Sequence, residues 1–327
     1  MPSGRKKLLL LIHGRATKPD EAEKERLVLR SLIAGLERVD KDAAAAVAGK
    51  QVEARLAYYG DVNNEIMVAV EPERKNQMMQ DTQGRWFEPP GSYDADLDRL
   101  LARPTPNHTA DDYRELLAQE RDRRYMDDAA RVLSVLGSVF GFGKRLVISQ
   151  TPDLAQYIMS RRVGSRIRTR LQALLQPALL EGRDVALVAH SMGCIVSYDV
   201  LWKFSHMSEY AAVRDRKVSL WLTLGSPLGE PVVAEELYDA REPADGRYPR
   251  NIGRWVNVAA RDDFVAHDPT VADDFAPMRH ARYAKIEDRK PICTFWAGTD
   301  GTNPHKFYGY LNHPDVAAIL TEWINRV

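Results

Sequence analysis

Cysteine is nearly absent: 327 residues contain only Cys194 and Cys293, each in an apolar run and far apart in the chain. Two such residues make neither a disulfide framework nor a thiolate metal site. They read as small buried side chains in a reducing compartment. Net charge is missing too, since Lys plus Arg and Asp plus Glu both total 46. No global field therefore steers the chain toward nucleic acid or an anionic membrane. No run of 18 apolar residues could cross a bilayer, and Leu8 to Ile12 is too short for a signal-peptide core. The expectation is a cytoplasmic chain without a transmembrane segment, with peripheral membrane contact left open. No internal repeat is visible.

Cofactor signatures are lacking as well. Gly141-Phe-Gly143 has no preceding strand and no GK[ST] ending, so it is not a phosphate loop. Asp94, Asp96 and Asp98 alternate like calcium ligands, but the glycine and distal glutamate of an EF-hand loop are missing. No Cys/His cluster offers a zinc site. The expectation is that no metal or organic cofactor is used.

What is present is alternation. Apolar runs at 7–12, 51–59, 184–189, 218–224, 254–260 and 291–297 have the length and content of buried strands. Helical periodicity lies between several of them, at 21–39 and 153–176, and again at the end, where Pro314 opens a stripe of Val316, Ile319, Leu320, Trp323, Ile324 and Val327. This pattern predicts an α/β fold with a mostly parallel sheet flanked by helices. Residues 60–150 break it. They are polar and Pro/Gly-rich, then give a charged helix near 111–131 and a glycine-spaced apolar stretch at 132–148. Ninety residues far exceed an ordinary loop. The reading is a core of 1–59 and 151–327 with an inserted α-rich cap or lid at 60–150. The arginines at 161, 162, 166, 168 and 170 read as a solvated helix face.

The most telling stretch runs from Val185 to Leu201. An apolar strand meets His190-Ser191-Met192-Gly193 and continues as a helix. A serine at the apex of such a turn stands clear of the backbone, with the free N–H groups of a helix N-terminus beneath it. That geometry serves attack on a carbonyl carbon. Ala189 and Gly193 supply the small residues that close strand–helix approach requires. Leu8 to Ile12 is a second buried strand and ends in His13-Gly14-Arg15. A glycine there lets the backbone come close, so the predicted oxyanion donors are the N–H of Met192 and one from Gly14 or Arg15. His13 is read as a positioning residue.

A base and an orienting acid should follow downstream. The strand from Trp255 runs into Asp262-Asp263-Phe264, placing a carboxylate at the strand's end; Asp263 is the choice and Asp262 the alternate. Eight histidines compete for the base. His190 points away from the serine hydroxyl, while His108 and His206 look structural. His305 follows the last predicted strand and precedes the terminal helix, which favours it; His267 and His313 are the alternates, and His280 is a loop residue. The chain order Ser191, Asp263, His305 is that of an α/β-hydrolase triad.

The chain resembles an α/β-hydrolase of the serine lipase/esterase type. The resemblance lies in Leu8-to-Gly14, His190-Ser-Met-Gly193, Trp221-to-Leu228 with its Gly-Ser-Pro, Trp255-to-Val265 and His305-to-Leu311. It covers the sheet core and not residues 60–150. It implies hydrolysis of a small-molecule or lipid carboxyl ester through an acyl-enzyme, with His305 as base and Asp263 holding its tautomer. A non-catalytic binding or scaffold protein on the same fold, and a phospholipid-directed toxin or defence lipase, are the alternatives.

Overall fold

Leu8 through Ile12 have no polar side chain to turn toward water, and both faces of that run are buried. The computed structural model, which describes residues 5–119, 151–266, 268–298 and 301–326, makes it strand β1 (Lys7–Ile12). With β2 (Glu53–Ala57), β3 (Asp184–His190), β4 (Val218–Leu224), β5 (Ile252–Val258) and β6 (Lys285–Asp288) it forms one sheet in the order β2-β1-β3-β4-β5-β6. Every neighbouring pair is parallel. An all-parallel sheet needs cover on both faces, which explains the largely apolar interior strands β1, β3 and β4.

Period-two alternation assigns those faces. Leu9, Leu11, Ala186, Val188, Leu222 and Val256 pack against α1 (Glu21–Glu37), α2 (Lys41–Ala48) and the two C-terminal helices, Phe307–Asn312 and Pro314–Asn325. Leu8, Leu10, Ile12, Leu187, Trp221 and Trp255 face the opposite layer, built on helices Arg161–Leu180 and Met192–His206. In the intervening segment lie α3 (Gly60–Val70), a short hairpin pairing Met79–Gln80 with Trp86–Phe87, α4 (Asp94–Leu101) and α5 (Ala110–Gln119). Leu97, Leu100, Tyr113 and Leu116 of this segment join the first apolar cluster. The stretch at 132–148 and the remainder of the helix expected near 111–131 lie outside the described residues.

Several expectations are corrected. The sixth strand is 285–288, not 291–297: the latter run makes a single bridge, Ile292 to Ala260, and contributes Ala297 to a two-residue pairing. Its apolar character reflects burial of an irregular segment beneath α4 and the C-terminal helices. The periodic run at 21–39 ends at Glu37, and a second helix starts because the Asp40 carboxylate accepts from the N–H groups of Asp42 and Ala43. The run at 153–176 is likewise two helices, α6 (Pro152–Met159) and α7 (Arg161–Leu180), divided where the Ser160 hydroxyl caps the second. Arg168 does not join the solvated arginine face. It is 5% exposed and lies over the rings of Tyr157 and Tyr238.

Arg168 also stands 4.0 Å from a buried carboxylate, Asp199, on α8 (Met192–His206). Asp199 accepts from the Tyr157 hydroxyl at 2.5 Å and the Tyr238 N–H at 3.1 Å. Burial nevertheless pushes its carboxyl up to about 6 from an ordinary 3.8. Between those values the native protein holds a proton that the unfolded chain has lost. Unfolding free energy should therefore fall as pH rises from about 4 to about 6, by on the order of 2–3 kcal/mol. Asp274, pushed up to about 6 by partial burial and neighbouring acids, adds a slope of the same sign. Urea denaturation across this range measures it, and Asp199→Asn should flatten the slope. A rise in stability over the same window would contradict the assignment.

Candidate active site

The strand order reverses at β1: the chain passes from β1 outward to β2, then returns to lay β3 on the other side. The crevice at the carboxyl ends of β1 and β3 is thus a topological switch point, where open α/β sheets bind ligands. Register aligns those ends, with Ile12 opposite Ala189, His190 opposite Leu224 and Leu224 opposite Val258. The next residues, His13-Gly14, Ser191, Gly225 and the turn leading to Asp263, emerge along one edge.

Ser191 sits between β3 and α8 with φ 55° and ψ −128°, a conformation L-residues rarely adopt. Its N–H donates to the Leu224 carbonyl at 3.1 Å and its carbonyl accepts from Cys194 at 2.8 Å. Close packing explains the small residues around it. A Cβ on Gly193 would stand 2.7 Å from the His13 carbonyl oxygen, and one on Gly14 would stand 2.6 Å from Ser191 Cβ. Met192 is the first residue of α8, so its N–H has no intrahelical acceptor.

His305 and Asp263 meet directly, with Nδ1 2.8 Å from Oδ2. Tyr310 donates its hydroxyl to the same Oδ2 at 2.6 Å and accepts from the Ala260 N–H at 2.8 Å. The other carboxylate oxygen accepts from the N–H groups of Val265 (3.0 Å) and Ala266 (3.4 Å). Burial opposes ionisation of Asp263, but His305, Tyr310 and Val265 outweigh it and hold the carboxyl below its ordinary range. An ionised Asp263 makes Nδ1 the protonated nitrogen of neutral His305 and leaves Nε2 as a bare lone pair. Both Ser191 Oγ and His305 Nε2 are buried without a hydrogen-bond partner among the described residues.

The other histidines have fixed duties. His190 donates from Nε2 to the His305 carbonyl at 2.7 Å and stacks on Phe307, so it supports the backbone of the predicted base. His13 donates from Nδ1 to the Gly14 carbonyl at 2.8 Å and accepts at Nε2 from Tyr59 at 3.1 Å. Burial, with Lys18 and Lys24 nearby, lowers its pKa well below the ordinary value, which suits a neutral positioning residue. His313 caps the final helix, Pro314–Asn325, by accepting from the N–H of Asp315. Burial pushes its pKa down to about 3. His280 ends a short helix, Ala276–His280, and is not a loop residue. Asp262 is exposed with φ 60°. His267 lies outside the described residues.

Sequence reasoning missed Tyr310 as the second ligand of Asp263. It also missed Asp153, a fully buried carboxylate on α6 that organises the loop after β1. Asp153 accepts from Arg15 Nε at 3.2 Å, from the Ala16 N–H at 2.5 Å and from Leu154 at 3.0 Å. A proline-opened helix beginning Pro152-Asp153 was the available signal. A cavity of about 610 Å³ is lined by Asp263 together with Tyr113, Arg114, Arg261 and Asp262. A larger one, about 770 Å³, lies among α1, β2 and α7, away from Ser191. Comparison with models of protein families, with curated proteins and with solved structures finds no match.

Proposed function

We propose that this chain is a serine carboxyl-ester hydrolase of the α/β-hydrolase type, with residues 60–150 serving as its cap. The observation that carries the reading is one corner in which a strained serine and a carboxylate-oriented histidine each present a buried, unpartnered atom, Ser191 Oγ and His305 Nε2. Polar atoms left unpaired in a buried site are costly and mark chemistry. Hydrogen bonds between such groups often tighten only when substrate arrives.

In the proposed reaction His305 Nε2 takes the Ser191 proton as Oγ bonds to the ester carbonyl carbon. The carbonyl π electrons move to oxygen, and the N–H of Met192 and one at Gly14 or Arg15 receive that oxyanion. Collapse breaks the bond to the alcohol oxygen, which leaves with the proton from His305. Water then attacks the acyl-enzyme, His305 acting again as base and then as acid, and the carboxylic acid departs. Asp263 holds the tautomer throughout.

The test is intact-mass analysis after exposure to a fluorophosphonate. One adduct is expected on the wild type and none on Ser191→Ala. No adduct on either protein would favour a non-catalytic binding protein on this fold. Release of fatty acid from phospholipid vesicles, in excess of soluble short-chain ester turnover, would favour a phospholipid-directed lipase.

A further inference from the structure

The oxyanion hole of the proposed reaction has two walls on separate pieces of chain. One is the N–H of Met192, fixed at the start of α8. The other is the loop after β1, which touches the serine: a Cβ on Gly14 would stand 3.1 Å from Ser191 Oγ. A helix end keeps its geometry through its own ladder of hydrogen bonds. The loop has no such frame, and Ala16 within it takes φ 71°, a left-handed conformation that L-residues avoid. Such a conformation persists only where the surroundings hold it.

Asp153 supplies that hold. Its carboxylate is fully buried and accepts from the Ala16 N–H at 2.5 Å through Oδ2 and from Arg15 Nε at 3.2 Å through Oδ1. Burial opposes its ionisation, but Arg15 and the N–H groups of Ala16 and Leu154 outweigh it and keep the carboxyl below its ordinary range. The carbonyls of the loop are engaged as well: that of Gly14 by His13 Nδ1, those of Arg15, Ala16 and Thr17 by the Lys18 amino group. Among the described residues the N–H groups of Gly14 and Arg15 have no acceptor. These are the two donors that the mechanism needs free.

Tyr157 stands one turn beyond Asp153 on the same side of α6. It is buried, and its hydroxyl donates at 2.5 Å to Asp199 on α8, the helix that Met192 opens. Asp199 is anchored in turn by the Tyr238 N–H. One side of α6 therefore grips both walls of the hole, the loop through Asp153 and the nucleophile helix through Tyr157.

On the hydrolase reading, we propose that α6 sets the spacing between the two oxyanion donors, with Asp153 and Tyr157 as positioning residues for the reaction. Neither bonds to Ser191 Oγ or His305 Nε2, which have no partner among the described residues. Both govern where N–H groups stand as the carbonyl oxygen acquires charge. Their effect therefore belongs to the transition state and not to substrate binding.

The experiment measures kcat and KM for p-nitrophenyl butyrate on Asp153→Asn and Tyr157→Phe. Each rate is divided by the amount of serine titrated to completion with a fluorophosphonate. The inhibition constant of an alkyl trifluoromethyl ketone is measured beside it, because the hemiketal it forms with Ser191 Oγ carries an oxyanion. Asp153→Asn keeps the shape of the side chain but sets an amide NH2 against one of its donors. Its kcat is expected to fall about a hundredfold with KM changed by less than about threefold, and the ketone should bind more weakly by about the same factor as kcat. Tyr157→Phe should lose about tenfold with the same split. Wild-type turnover per titrated serine in either folded variant overturns the inference, even where the variant melts lower, since α6 would then be structural only. A loss carried in KM, with ketone affinity unchanged, overturns it too. Should Asp153→Asn fail to fold, Tyr157→Phe decides by the same criteria. A wild type that neither hydrolyses the ester nor takes the phosphonate rejects the hydrolase reading, and this inference with it.

Discussion

His305→Ala should lower ester turnover by about four to six orders of magnitude, as should Ser191→Ala. The two losses should not add, because serine and base act as one unit in the proposed mechanism. Asp263→Asn should leave somewhat more activity, since it disturbs the tautomer and orientation of His305 without removing a reacting atom. Melting curves must accompany the rates. Asp263 holds Val265, Ala266, Tyr310 and His305 together, so its replacement also costs local order. Single-turnover kinetics with an activated ester measure the chemical step. Turnover retained by His305→Ala would reject His305 as base and move the role to His267.

Gly225→Ala should disable the same pair without touching a reacting group. Gly225 follows β4 with φ +54°, and a Cβ there would stand 2.8 Å from Asp263 Oδ2 and 3.0 Å from His305 Nδ1. Asp263 is buried, His305 is half-buried and the two are hydrogen-bonded to each other, so the methyl group can be accommodated only by pushing carboxylate and imidazole off their present axis. A displacement of about 1 Å in a catalytic group costs roughly a hundredfold in rate, and that is the expected loss. Backbone strain contributes separately. Gly182 has φ +69° with nothing within 4 Å of a Cβ, so Gly182→Ala measures the left-handed penalty alone, about 1–2 kcal/mol. Gly225→Ala should lose more stability than Gly182→Ala, by the cost of displacing Asp263 and His305, and should differ from it in activity. If both variants keep full activity, the Asp263–His305 contact is not needed for turnover.

Legibility in the sequence followed locality. Of the five strands that were evident, β1, β3 and β4 are buried along nearly their whole length, whereas the edge strand β2 has only Leu56 and Ala57 buried. The sixth, Lys285–Asp288, is an edge strand with only Ile286 buried, while the more apolar 291–297 is irregular chain inside the core. The placing of Ser191 and Asp263 at one edge of the sheet could be expected because each follows a buried strand, Ser191 directly after β3 and Asp263 in the turn after β5. Tyr310 and Lys24 could not. The Tyr310–Asp263 bond spans 47 positions and the Lys24–Tyr308 bond spans 284, and no periodicity or turn chemistry encodes such meetings. Nothing local marks Asp153, because an acid that opens a helix is ordinarily exposed. Only the loop after β1, folded over it, reveals its use.

The place of β1 between β2 and β3 bears on biosynthesis. Lys7 pairs with Asp184 and Leu8 with Glu53, so one edge of β1 waits for a partner about 180 residues behind it. At translation speeds of 5–20 residues per second, that wait is roughly ten to thirty-five seconds. Throughout it, Leu8-Leu-Leu-Leu-Ile12 is a half-paired strand of high aggregation tendency on the nascent chain. Trigger-factor-like or Hsp70-like holdases should therefore crosslink to this segment on stalled ribosomes shorter than β3, and release it once Asp184–His190 has emerged.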